Sequence, residues 1–149
     1  MDNAQFLHYL CDHSPEEGRA YIQSHMGELS DYDAFANMIA EEALRLRDTN
    51  PLLSLQLAEL LTFLGEATHQ PLAHALGLKA QGDALGYMGQ FQAALACLDM
   101  AGEEFLKLGD AVRWARTRVA WILSCAWLGR TEDALQEASR ARDVLLKHD

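Results

Sequence analysis

The sequence has little proline, little cysteine, few aromatic residues and no long apolar run, and each shortage narrows what the chain can be. With 3 prolines and 8% aromatic residues, and with Ala and Leu prevailing over the β-branched and aromatic residues that enrich strands, the composition is that of a helical protein. Three cysteines, Cys11, Cys97 and Cys125, are an odd number at wide spacing. They fit small reduced core residues better than a disulfide framework. No apolar stretch approaches the ~20 residues of a membrane span. The start MDNAQFLHYL lacks the basic region, apolar run and small-residue cleavage site of a secretory signal, so the chain is expected in the cytoplasm.

Basic residues are scarce as well. Lys and Arg number 12 against 22 Asp and Glu, a formal charge of -10, which repels a phosphate backbone and excludes nucleic acid as the main partner. The deficit is uneven. Residues 1–74 hold only Arg19, Arg45 and Arg47 against 12 acids, and residues 75–149 hold 9 bases against 10 acids. Positive surface therefore belongs to the second half.

What is present is enough for one core: half of the 149 residues are hydrophobic, and a domain of this size buries roughly 68–70% of its unfolded surface. Breaks along the chain are helix caps rather than hairpin signals. Ser14-Pro15-Glu16-Glu17 supplies an N-cap, a first-turn proline and acids at the positive end of the helix dipole, predicting a helix over residues 15–26 that Gly27 stops. Ser30 with Asp33 opens the next, and Asp48-Thr49-Asn50-Pro51 closes it while starting another that reaches about Gly65. Further helices are expected over residues 71–88, 90–108, 110–128 and 131–148, bounded by Gly, Asp or Thr. Leucines at 52, 53, 55, 57, 60, 61 and 64 crowd most faces of one helix, which marks it as covered on both sides.

The chain also repeats itself. Gly89, Ala94, Leu95 and Ala101 recur forty residues later as Gly129, Ala134, Leu135 and Ala141, and Leu106-Lys107 recurs as Leu146-Lys147. A second match pairs Leu64-Gly65-Glu66-Ala67 with Leu108-Gly109-Asp110-Ala111 at an offset of 44, placing an extra helical turn around Gln70-Pro71. A fixed period of this size marks stacked helix pairs, with glycine at the tight turn and alanines where the second helix closes on the first. The expected plan is a single domain over 1–149: N-terminal capping helices in 1–29, then helix pairs over 30–70, 71–109 and 110–149.

Leu78, Gln81, Gly82 and Leu85, followed by Gly89, Phe91, Ala94, Leu98 and Ala101, resemble the tetratricopeptide pattern W-x2-L-G-x2-Y, A-x3-F, A. Arg118, Trp121, Ile122 and Cys125, followed by Gly129, Ala134, Ala138 and Ala141, resemble it a second time. The forty-residue length, with Leu108-Gly109-Asp110 where the closing proline would stand, is similar to repeats in large bacterial signalling proteins, including those carrying a caspase-like CHAT domain. The resemblance implies an all-α fold of antiparallel helix pairs stacked as a short right-handed superhelix, an α-solenoid. Lys147-His148-Asp149 falls at a repeat boundary, which suits both a polar capping helix and the N-terminal part of a larger regulatory protein.

Chemistry finds little support in the spacing. Cys11 and His13 are two apart, and His69 and His74 five apart, where a shared helix face needs three or four, so no metal and no cofactor are expected. Cys97 and Cys125 occupy packing positions rather than a place beside a base. Gly82, Gly86 and Gly89 lie in and at the end of a helix, not between strand and helix as a phosphate loop requires. Glu16-Glu17, Glu41-Glu42 and Glu103-Glu104 each point about 100° apart. No catalytic residue is assigned, and an enzyme is not expected.

What the resemblance leaves is a concave face lined by the first helix of each pair. Carried over by position, it assigns partner contact to Lys79, Asp83 and Tyr87 and to Arg116, Val119, Leu123 and Trp127. Lys79, Asp83 and Tyr87 also share a face by their i, i+4, i+8 spacing. Lys79 and Arg116 would receive a carboxylate, and Tyr87 and Trp127 would be apolar anchors, unless these aromatics merely seal the turns before Gly89 and Gly129. Asp83 stands where the carboxylate-clamp version of the family has asparagine and would repel a peptide C-terminus. The expected function is a scaffold that holds a peptide or helix of another protein, with the exposed ends of the stack open to self-association. The alternatives are a small secretion-type chaperone and, further off, a small all-α enzyme.

Overall fold

The computed structural model describes residues 2–148, so Met1 and Asp149, the outermost residues of the expected 1–29 and 110–149 units, lie outside the described residues. Eight α-helices and no strand are found among those described. They are α1 Asn3–Asp12, α2 Pro15–His25, α3 Tyr32–Leu46, α4 Pro51–Ala67, α5 Pro71–Tyr87, α6 Phe91–Lys107, α7 Ala111–Trp127 and α8 Thr131–Lys147, with a short 3-10 turn at Met26–Glu28.

The first helices begin where side chains accept from free backbone amides. Asp2 accepts from Ala4 N–H, Ser14 and Glu17 form a reciprocal capping box, and Asn50 accepts from Leu53 N–H at 3.2 Å. Asp31, not Ser30, caps α3, its carboxylate taking the Ala34 N–H at 3.0 Å. Gly27 does not end α2 either; the helix tightens into the 3-10 turn after His25.

From Pro51 onward the geometry becomes periodic. Helices α4 to α8 are each 17 residues long and begin twenty residues apart, at 51, 71, 91, 111 and 131. Four three-residue turns join them, and each has the same construction. His69, Gly89, Gly109 and Gly129 adopt left-handed φ of 53°, 76°, 74° and 77°. The next residue's N–H then reaches back five residues, Gln70 to Gly65 O, Gln90 to Leu85 O, Asp110 to Phe105 O and Arg130 to Cys125 O, at 2.8–2.9 Å. This is the Schellman closure, which satisfies a terminal carbonyl and reverses the chain.

The turns correct the offset of 44. His69, forty residues before Gly109, is that glycine's counterpart, whereas Gly65 lies inside α4, and no extra turn exists at Gln70-Pro71. A histidine in a glycine seat hides the period from sequence comparison. Gly65 serves packing instead. A Cβ there would stand 2.7 Å from His74 Cα, and one on Gly77 would stand 2.5 Å from Thr62 N, so α4 and α5 meet backbone to backbone.

From α3 onward each helix packs on the next, and contacts also skip one helix: α3 touches α5, and α5 touches α7. The three therefore lie side by side in one layer, all running in the same direction because each short turn reverses the chain. The helices between them, α4 and α6, together with α8, pack against that layer. Helix α4 is covered by α1, α2, α3 and α5. Leu57, Leu60, Leu61 and Leu64 are fully buried, each stabilising by about 1.5–3 kcal/mol relative to exposure, while Leu52 at the first turn stays exposed. Phe6, Leu10, Ile22, Phe35 and Ile39 extend the same core under the N-terminal helices.

Candidate functional site

The layer of α3, α5 and α7 carries a groove, and all seven residues assigned to partner contact line it: Lys79, Asp83, Tyr87, Arg116, Val119, Leu123 and Trp127. Its volume is about 620 Å³. A smaller hollow of about 260 Å³ adjoins it toward the N-terminal ends of the helices, lined in part by Asn37, Glu41 and Leu76 and sharing Lys79, Asp83 and Arg116. Forty-residue spacing explains the convergence. Lys79, Asp83 and Tyr87 on α5 correspond to Val119, Leu123 and Trp127 on α7, so equivalent faces of parallel helices look the same way.

The groove is apolar toward the C-terminal ends of the helices. Val119, Leu123 and Trp127 are 62%, 58% and 75% exposed, and Tyr87 is more than half exposed. Trp127 makes its ring contact across the groove end. Its ring lies parallel to Phe91 with centroids 5.9 Å apart, and Phe91 opens α6, so the pair joins the ends of two separate helices. Tyr87 lies beneath the guanidinium of Arg47, 4.9 Å from ring centroid to Cζ. Arg47 follows the last residue of α3.

Of the four charged residues that line the groove, Lys79 and Asp83 are engaged with one another. Lys79 Nζ donates to Asp83 Oδ2 at 2.8 Å, and the Asp83 side chain is nearly buried. This pair makes Asp83 an internal counter-ion and occupies the ammonium expected to receive a partner's carboxylate. Arg113 Nη1 donates to Asp110 Oδ2 at 2.6 Å while Arg113 N–H donates to Oδ1 at 2.9 Å. Burial pushes the Asp110 carboxyl upward, but these two Arg113 hydrogen bonds outweigh it and hold the group below its ordinary range. Arg116 is exposed and makes neither a hydrogen bond nor an ion pair among the described residues.

Leu44, Arg47 and Phe91 belong to the same groove and escape the sequence reading. A signal for one of them exists: Arg47 precedes Tyr87 by the same forty residues that separate Tyr87 from Trp127. Arg118, matched to a tetratricopeptide core position, is buried as a cation. It donates to Leu98 O at 2.8 Å and Asp99 Oδ1 at 3.2 Å, and its guanidinium carbon stands 5.6 and 5.5 Å from the Trp114 and Trp121 rings. Buried arginine requires such a set of partners, which no local pattern announces.

The remaining reactive side chains lie elsewhere. Cys125 is buried, Cys11 and Cys97 are half-buried, and all three are free thiols. Burial pushes each thiol above its ordinary value, which keeps it protonated at neutral pH. His74 contacts Glu104 through Nδ1 at 2.6 Å and Glu66 through Nε2 at 3.4 Å, tying α5 to α6 and α4. No cluster of three or more metal-binding side chains occurs among the described residues, and no described helix is long and apolar enough to cross a membrane.

Comparison with models of protein families, with curated proteins and with solved structures finds no match to this chain.

Proposed function

We propose that this chain is a tetratricopeptide-like interaction module of the cytoplasm, three helix pairs of a short right-handed superhelix, that holds a segment of another protein in the groove across α3, α5 and α7. The observation that carries the reading is the strip formed by Tyr87, Val119, Leu123 and Trp127. Single exposed apolar residues are ordinary on a monomer, but a concave strip of them rimmed by charge is a binding surface. Covering Trp127 alone would be worth about 3 kcal/mol in transferred area, before the costs of association. The strip runs along two parallel helices, α5 and α7, beside Leu44 of α3, which suits an elongated ligand. From Arg116 to Trp127 the groove follows α7 for about 16 Å, matching roughly three turns of a helix.

The reading is of a binding module without metal or cofactor, not of an enzyme. Lys79 is neutralised within the groove by Asp83 and Arg113 of the adjoining hollow by Asp110, which leaves contact surface rather than reacting groups. It is tested with a displayed library of random 14-residue peptides selected on the full chain. Selected peptides should bind the wild type and lose about 30-fold or more in affinity to a Leu123→Asp/Trp127→Ala double variant, the loss typical of removing a central anchor. Equal binding to both proteins would refute the groove as the site.

A further inference from the structure

Seven of the chain's 12 Lys and Arg residues are answered by its own carboxylates, and two of the remaining five share one groove. Arg45, Arg113, Arg118, Arg130, Arg140 and Arg142 each hold an acidic partner in ion-pair contact, as does Lys79. Among the described residues five bases hold none: Arg19, Lys107, Lys147, Arg47 and Arg116. Arg47 and Arg116 line the same groove. In a protein of formal charge -10, where acids outnumber bases almost two to one, these two arginines face one groove with no carboxylate in ion-pair contact, although Arg116 is near enough to help hold the Asp110 carboxyl below its ordinary range.

Their placement brackets the apolar strip. Arg47 sits with Tyr87 and Trp127 where α3, α5 and α7 end, and Arg116 lies in the first half of α7, near Leu76 of α5. Open to water, an arginine costs nothing. Under a bound segment it loses its hydration and must regain hydrogen bonds from that segment. A carboxylate does this best, accepting two parallel N–H bonds from the guanidinium plane, while a basic side chain would add repulsion to desolvation. Arg47 is prepared for such contact because its face rests on Tyr87, leaving the edges that carry its donors to reach a ligand.

We infer that the segment held by the groove is acidic as well as apolar: a stripe of leucine-like or aromatic side chains with Asp or Glu toward its two ends, received by Arg116 and Arg47. The inference rests on the interaction-module reading and names its ligand. Lys79 has no part in it, being closed by Asp83. The net charge gives the complex a kinetic signature. An acidic segment approaching this protein is repelled at long range, over a distance that salt shortens to about 8 Å at physiological strength, while the arginine contacts act at touching distance. Association should therefore quicken as salt rises from low values, the reverse of ordinary electrostatic steering.

The same peptide selection tests it with separate readouts. Groove-dependent peptides should be richer in Asp and Glu than the unselected library. Replacing their acids by Asn and Gln should weaken binding about tenfold, and an Arg47→Gln/Arg116→Gln variant should bind acidic and amide forms alike. Neutral or basic peptides that depend on Leu123 and Trp127, or an acidic preference that survives in R47Q/R116Q, would overturn the inference and leave the groove standing. If no selected peptide depends on Leu123 and Trp127, the groove reading fails, and the inference falls with it.

Discussion

Over the first fifty residues every α-helix is opened by a side chain that accepts from its amides, Asp2, Ser14, Asp31 and Asn50. From residue 70 on, Gln70, Gln90 and Arg130 stand at helix starts with no such bond, and only Asp110 caps. The repeated region relies on the preceding turn. Once a left-handed residue and a five-residue back-bond have closed one helix, the chain is already aimed to start the next. Helices of 10, 11 and 15 residues need individual boundaries; helices of 17 joined by identical turns inherit theirs. The first region is therefore specified by side chains and the second by backbone.

The largest way to break this contrast is at the first step of the repeated region, between α4 and α5. Gly77→Ala adds a methyl against both Oγ1 and the backbone of Thr62, so that the α4 backbone itself must shift. Overpacking of this kind should cost about 3 kcal/mol in urea unfolding despite alanine's better helix propensity. A loss under about 1 kcal/mol would mean that α4 and α5 separate easily. Next, Ser14→Ala should cost about 1 kcal/mol by removing a capping box, and Gln90→Ala should stay within about 0.5 kcal/mol. Equal losses at the two positions would erase the distinction between side-chain and backbone boundaries.

His69 offers a gain. It occupies a left-handed position that Gly89, Gly109 and Gly129 hold elsewhere, and His69→Gly should raise stability by about 0.5–1 kcal/mol, measured as a higher urea midpoint with unchanged slope. The smallest effect is in acid. Glu17 accepts from the Ser14 N–H, which holds its carboxyl below the ordinary range in the folded state. Its contribution is thus complete above the unfolded value and is lost as pH falls through the lower folded one. Glu17→Gln should flatten that part of the acid limb of Tm against pH.

Much of this arrangement is legible beforehand because it depends on local chemistry. Pro51, Pro71 and Thr131 mark helix starts that the structure retains, and glycines at 89 and 129 expose the forty-residue step. The seven groove residues are assigned by the tetratricopeptide resemblance, and the forty-residue step is why all of them line one groove. What escapes depends on neighbours distant in sequence or on residues acting out of type. His69 behaves as a glycine, Arg118 as a core residue with partners from Leu98 and Asp99, and Asp83 as the counter-ion of Lys79. Arg45 and Arg47 are two apart in sequence, yet one pairs with Glu42 and the other covers Tyr87 on another helix.

The twenty-residue step also gives the chain a parity. Removing residues 91–130 would join Gln90 directly to Thr131, keep the Gly89 turn, and seat α8 where α6 lies, with Ala134 and Ala141 standing for Ala94 and Ala101. Direction and layer would both survive. Removing or inserting a single step of twenty would instead send every later helix the opposite way and exchange groove helices for backing helices. Such a chain can grow or shrink only by even counts, and each even change adds or deletes one wall of the groove.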